Sequence, residues 1–224
     1  MPAGFRIMPR GPGIAPAILA RYRAVPVANV SDCMSRIFAA GASLRPMHAG
    51  GAMAGPAFTV RTRPGDNLMV HKAIDIAQEG DVVVVDAGGD LTNAIIGELM
   101  QAQMVRRKLG GIVINGAIRD AAALRASPFP VYAAGVTHRG PYKDGPGEIN
   151  VPIAIGGMAI APGDLVLGDD DGVLCVPRAD IEAVLAAAEA KHAAETRQMA
   201  AIEAGTVDRA WVDATLRRLG CEGV

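Results

Sequence analysis

Two charged residues stand side by side at the end of an apolar run. In "GGIVINGAIRDAAAL", residues 110–124, Arg119 is followed directly by Asp120. Neighbours in sequence point to different faces of a helix or strand, so this pair is poorly placed for a simple salt bridge. Either the two are unrelated surface charges, or each is aimed at a third group. A guanidinium suits a carboxylate or an enolate oxygen, and a carboxylate suits a hard divalent cation.

A second feature lies upstream. "GELMQAQMVRRKLGG" has the spacing of an amphipathic helix that opens on Gly97, with Leu99, Met100, Met104 and Leu109 as its expected apolar face. The first amides of a helix have no partner within it and carry positive potential, so they can hold an anion. Glycine at the start lets a ligand approach the backbone. Glu98 in the first turn is the competing occupant of that dipole, and on this helix alone ordinary capping is the favoured reading. Taken together, the amides of Gly97 to Met100, the guanidinium of Arg119 and the carboxylates of Asp120 and Glu98 suit a small anionic oxo acid chelated to Mg2+ or Mn2+.

These residues need a scaffold. "DVVVVDAGG" and "IVIN" are short apolar runs bounded by charge and glycine, the pattern of strands buried on both faces. From Asn67 to Gly135 the order reads helix, strand, helix, strand, helix, strand, which predicts parallel pairing through crossover helices. Open sheets of that kind bind ligands at the carboxyl ends of their strands, where both features fall. The helix after Asn67 shows helical spacing of Leu68, Ile74 and Ile76 and ends at Gly80, and a polar loop is expected between "DVVVVDAGG" and the helix that opens on Gly97. Residues 1–13 are rich in Gly and Pro and read as a loose arm, followed by a short helix over 14–22. In "VANVSDCMSRIFAAG", Ser31 reads as a helix N-cap with the stop near Gly41. Met53 to Arg63 reads as a strand with a bulge or an edge position, because it contains Gly55-Pro56. Residues 137–150 read as a functional loop, and 151–177 as short strands with "DDDG" as a hairpin turn. An Ala/Glu-rich helix follows from 178 to about 204, then a last helix near 209–219. The expected organisation is an N-terminal arm and helix over 1–28, a catalytic domain over 29–177 and a helical C-terminal arm over 178–224.

Composition limits what the chain does. Its 224 residues are half hydrophobic with a net charge of −1, and no Lys/Arg run is longer than Arg106-Arg107-Lys108. Neither nucleic acid nor a membrane is an expected partner. Three cysteines far from any CxxC spacing argue against a disulfide framework, and a cytoplasmic protein is expected. No glycine-rich nucleotide loop, GxSxG or HExxH occurs, and the four histidines lack metal-ligand spacing, so no organic cofactor is expected.

Glu98, the twenty residues 99–118 and then Arg119-Asp120 resemble the acidic-x20-Arg-Asp signature of a known aldolase family. That family cleaves 4-hydroxy-4-methyl-2-oxoglutarate and 4-carboxy-4-hydroxy-2-oxoadipate, and is homologous to the regulator of ribonuclease E activity. The likeness runs from about Asn29 to Pro177 and includes "PGDN" at 64–67, "FPVYAAG", "INVPIAIGGMAIAPGDLV" and "DDDGVLCVP". It implies an α/β fold, a swivelling β/β/α domain, assembled as homotrimers or homohexamers with active sites at subunit interfaces. It also implies that the amides of Gly97, Glu98, Leu99 and Met100 bind a pyruvyl carboxylate and that Arg119 holds the keto oxygen. Asp120 would be the ligand to Mg2+ or Mn2+, and Glu98 a proton relay through bound water. The implied activity is a metal-dependent (class II) pyruvate aldolase with oxaloacetate decarboxylase side activity. Glu98 departs from the family aldolases, which usually carry Asp there, by one methylene. His138, Arg139 and Lys143 in the 137–150 loop are candidates for a distal carboxylate or plain solvated charges, and His71 reads as a packed histidine. A non-catalytic ring that restrains a ribonuclease is the alternative.

Overall fold

Four consecutive valines, Val82 to Val85, are completely buried in the middle of a large sheet. Their side chains alternate between two cores: Val83 and Val85 face one, Val82 and Val84 the other. This is the reason an unbroken apolar run forms a strand here. The computed structural model describes residues 3–224. In chain order its elements are β1 (Phe5–Ile7), α1 (Pro16–Arg23), α2 (Val27–Cys33), β2 (Arg45–Pro46), β3 (Met53–Thr62), α3 (Leu68–Ile76) and β4 (Val82–Asp86). Then come β5 (Ala94–Ile96), α4 (Glu98–Arg106), β6 (Gly111–Ile118), α5 (Ala121–Arg125), β7 (Val131–Val136) and β8 (Gly147–Ile149). The hairpins β9 (Ile153–Ile155) with β10 (Met158–Ile160) and β11 (Leu165–Asp169) with β12 (Gly172–Val176) precede α6 (Ile181–Glu203) and α7 (Ala210–Arg218).

The main sheet runs β1-β8-β3-β4-β6-β7-β2, and β3, β4, β6 and β7 are parallel. The expected crossovers through α3, α4 and α5 are therefore present. One face of the sheet packs against α3, α4 and α5 through Val70, Ile74, Met104 and Leu124. The other packs against the β9–β10 hairpin through Ile153, Ile155, Met158 and Ile160. A third cluster joins α1, the β11–β12 hairpin and the start of α6. This is an α/β fold of the β/β/α kind with a helical C-terminal arm. The chain divides into two compact units, residues up to Ala188 and Glu189–Val224. The second unit holds the rest of α6 and all of α7, and exposes Met199, Ile202, Trp211 and Leu219.

Several local expectations fail, each for a physical reason. Part of the N-terminal arm is ordered: β1 pairs parallel with β8, and Arg10 holds the buried Asp81 through two hydrogen bonds. Ser31 lies inside α2 and caps nothing, because Pro26 is the N-cap residue and Asp169 Oδ2, from the distant β11, accepts the Val27 N–H at 2.9 Å. Left-handed Ser35 and Arg36 end the segment well before Gly41. β3 is not an edge strand, since β4 lies on one side and β8 and β11 on the other. Pro56 is tolerated because Ala57 bonds to the β11 side, so the nitrogen before it points to the side where β4 has not yet begun. On α3 the buried residues are Met69, Val70, Ala73 and Ile74, and on α4 Leu99 is 73% exposed.

Candidate functional site

The 88–97 segment contains the strand that sequence periodicity does not reveal. β5 is only three residues long, yet it pairs in parallel with the end of β6, Ala94 opposite Ala117 and Ile96 opposite Ile118. The pairing continues one step further, with the Arg119 N–H donating to Ile96 O at 3.0 Å. Gly97 and Arg119 are thus cross-strand neighbours. The helix that starts at Gly97 and the charged pair that ends β6 meet because two strands end together.

Asp120 then breaks the alternation that separates adjacent side chains. Its backbone is left-handed, φ 54° and ψ 37°, and this turns its carboxylate back toward α4. Asp120 Oδ2 accepts the Glu98 N–H at 3.0 Å and lies 3.7 Å from Arg119 Nε. The adjacent charges do approach one another, against the sequence expectation, at a distance that leaves both available. Gly97 is required for this arrangement by space alone. Its backbone is extended, and a methyl group there would overlap Asp120 Oδ2 and come within 3.1 Å of Arg119 Nε. Among the described residues, Asp120 Oδ1 has no hydrogen bond, and neither the Leu99 nor the Met100 amide has a protein acceptor.

These groups open into a cleft of about 240 Å3. Gly97, Leu99, Met100, Arg119 and Asp120 form one wall, and Asn67, His71, Gly140, Pro141 and Lys143 the other. Asn67 is buried, with its Nδ2 bonded to Ile95 O at 2.8 Å and its Oδ1 unpartnered. Gly140 packs against the arginine: a Cβ there would stand 3.2 Å from Arg119 Nη1. The residues 137–146 form a strap across the carboxyl end of the sheet. The strap is held by Ala94 N–H to Arg139 O, Asn93 Nδ2 to Gly140 O and the reciprocal backbone bonds of Tyr142 with Gly65 and Asn67.

Of the sequence-derived candidates, the cleft brings together Gly97, Leu99, Met100, Arg119 and Asp120. Glu98 contributes its backbone N–H, but its side chain is exposed and is not among the residues lining the cleft. Lys143 and His71 line it; His138 and Arg139 do not. Burial and the neighbouring Lys143 push the His71 imidazole below its ordinary pKa, with Asp75 opposing them. Sequence reasoning passed over Asn67, Gly140 and Pro141, which carry no chemical signature and gain a role only through the long-range contacts of the strap.

Open amides beside a guanidinium suit an oxyanion. A lone carboxylate oxygen in an open cleft suits Mg2+ or Mn2+, ions that keep most of their coordination for water and ligand oxygens. No cluster of three or more His, Cys, Asp or Glu that could hold a metal ion occurs among the described residues. No helix among them is long and apolar enough to cross a membrane.

Comparison with known proteins agrees with the fold. A family model described as RraA-like, Aldolase/RraA, matches residues 27–175. A protein of Halalkalibacterium halodurans, provisionally named 4-hydroxy-4-methyl-2-oxoglutarate aldolase, is 39% identical over 184 residues, 82% of this chain and 88% of that one. The solved structure of an uncharacterised protein from Pseudomonas syringae pv. tomato matches with a TM-score of 0.79 at 25% identity, over 88% of this chain and 97% of that one. The RNA-processing inhibitor RraA from Thermus thermophilus matches with a TM-score of 0.63 at 30% identity, over 68% and 92%. The chain belongs to the RraA-like aldolase/RraA family.

Proposed function

We propose that the cleft cleaves a 4-hydroxy-2-oxo acid, of the 4-hydroxy-4-methyl-2-oxoglutarate or 4-carboxy-4-hydroxy-2-oxoadipate type, to pyruvate and a second oxo acid, and decarboxylates oxaloacetate as a side reaction. The observation that carries this reading is the convergence of two open amides, one guanidinium and one carboxylate with a free oxygen. The Leu99 and Met100 amides bind the pyruvyl carboxylate. Arg119 donates to the keto oxygen and stabilises the negative charge that develops on it as the carbon–carbon bond breaks. Asp120, whose free Oδ1 and exposed position fit the role, would hold Mg2+ or Mn2+, and the cation when bound would supply Lewis-acid stabilisation of the developing negative charge. The Glu98 N–H keeps the Asp120 carboxylate oriented. The Glu98 side chain, one methylene longer than the aspartate of family aldolases and exposed outside the cleft lining, reaches the proton of the 4-hydroxyl only through intervening water. Lys143, which lines the same cleft, meets the distal carboxylate. The H. halodurans relative's name supports the substrate class. A homotrimer or homohexamer with cleavage sites at subunit interfaces completes the reading.

The test is pyruvate release, coupled to a reporter, from oxaloacetate and from 4-hydroxy-2-oxo acids with Mg2+ or Mn2+. Arg119→Ala and Asp120→Ala should each abolish turnover. Pyruvate release no faster than with metal alone defeats the proposal. The likeness to the T. thermophilus RNA-processing inhibitor favours a second reading, a non-catalytic ring that restrains a ribonuclease. Binding of a purified ribonuclease by a chain without turnover would select it.

A further inference from the structure

The Pro64-Gly65-Asp66-Asn67 turn has a completely buried carboxylate at its third position. Asp66 Oδ1 accepts the Leu68 N–H at 2.9 Å, in the first turn of α3. Asp66 Oδ2 accepts three donors: the Asp144 N–H at 2.7 Å, the Gly145 N–H at 2.9 Å and Arg63 Nη2 at 3.2 Å. One side chain therefore ties the start of α3, which carries Asn67 and His71, to the strap that carries Gly140, Pro141 and Lys143. Hydrogen bonds to a charged acceptor are stronger than neutral ones, and a buried carboxylate with four donors has little freedom to rearrange. Asp66 itself is not among the residues lining the cleft.

We propose that Asp66 is a positioning residue whose four hydrogen bonds fix the register between α3 and the strap, and that this register sets affinity for the distal end of the substrate. The affinity half of the proposal rests on reading the cleft as a site for a two-carboxylate oxo acid; the tie between α3 and the strap does not. In Asp66→Asn the amide keeps one acceptor oxygen, so at least one of the four donors must face an NH2 group. The strap loosens, while the bonds that hold the first wall, Arg119 N–H to Ile96 O and Glu98 N–H to Asp120 Oδ2, lie outside it and remain.

Three readouts test this in the full-length protein. Hydrogen exchange of the 142–145 amides should speed up about tenfold in Asp66→Asn, with β4 and β6 amides unchanged, as expected for local opening. KM for cleavage should rise about tenfold with kcat within about twofold, the pattern of lost binding rather than lost transition-state stabilisation. Exchange of the pyruvate methyl protons with solvent, which needs only the pyruvyl half of the site, should keep its wild-type rate. The double variant Asp66→Asn/Lys143→Ala should have a KM no higher than Lys143→Ala alone, because the two changes remove the same contact. Unchanged exchange at 142–145, an additive double variant, or a parallel fall in cleavage and proton exchange each overturn the assignment. Should Asp66→Asn not fold, Arg63→Gln removes one donor from the exposed side and should loosen the same amides to a smaller degree; no effect there also overturns it. A wild-type chain that releases no pyruvate defeats the affinity half, and amide exchange still decides the tie by itself.

Discussion

The two walls of the cleft are held in place by different means. The wall made by Gly97 to Met100 and Arg119-Asp120 is backbone architecture: two parallel strands end together, a glycine leaves room, and a left-handed aspartate turns its carboxylate inward. The wall made by α3 and the strap is held by side chains and loop backbone, with Asp66 and Asn93 reaching segments 78 and 47 residues away. The difference separates two roles. The first wall carries the groups proposed for the chemistry; the second, fixed by long-range contacts, tunes what fits against it.

Gly97→Ala is the sharpest way to break the first wall. The backbone there is extended, so alanine introduces no conformational strain, and the effect comes from the overlap of its methyl with Asp120 Oδ2 and its crowding of Arg119. The protein should fold, with a loss of about 1–3 kcal/mol typical of overpacking. Pyruvate release should fall by about 100-fold, as expected when a reacting constellation shifts by an ångström. Thermal denaturation and steady-state kinetics on the same preparation separate the two effects. Near-normal turnover would show that Asp120 need not sit where it does.

Lys143→Ala acts on the second wall, and its expected effect is smaller. With the first wall intact, KM for a substrate with a distal carboxylate should rise about tenfold and kcat should change little, the signature of lost uniform binding. Stability should stay within about 0.5 kcal/mol, because the residue is exposed. A large fall in kcat would erase the division of labour between the walls.

How legible each wall was in the sequence follows from the same contrast. Buried strands announce themselves in "DVVVVD" and "GGIVIN" because burial on both faces demands continuous apolar residues, and the helical segments between them fix the parallel order. Gly97, Arg119 and Asp120 stand out only together: a glycine at a helix start is ordinarily part of a cap, and the charge pair at the end of a neighbouring parallel strand is what changes that reading. β5 escapes notice, since three apolar residues are too short to show a period. Its pairing with β6 is nevertheless what makes Gly97 and Arg119 neighbours. The strap reads only as a Gly/Pro-rich loop. Nothing in "THRGPYKDGPGEIN" tells Lys143, which lines the cleft, from His138 and Arg139, which do not; the strap is placed by contacts with Gly65, Asp66, Asn67, Asn93 and Ala94, all more than forty residues earlier. Ser31 misleads for a related reason, because its helix is capped from β11, by Asp169, and not from its own sequence.

The smallest effect is also the most direct measure of the second wall. Burial chiefly, and then the positive charge of Lys143, disfavour the His71 imidazolium, while Asp75 favours it. His71 in the folded chain therefore takes up its proton at a lower pH than in the unfolded chain, where it titrates near its ordinary value of about 6.5. Across that interval the unfolded chain binds a proton that the folded chain does not, so His71's contribution to stability is full above the unfolded value and is lost as pH falls through the folded one. Lys143→Ala removes the second cause and leaves the first. The His71 titration, followed by NMR of the ring protons, should move upward toward its ordinary value without reaching it, and the acid side of the stability profile should flatten. Asp66→Asn should move it the same way, by letting Lys143 drift from α3. A His71 titration indifferent to both changes would mean that α3 and the strap are two separate surfaces that happen to border one cleft.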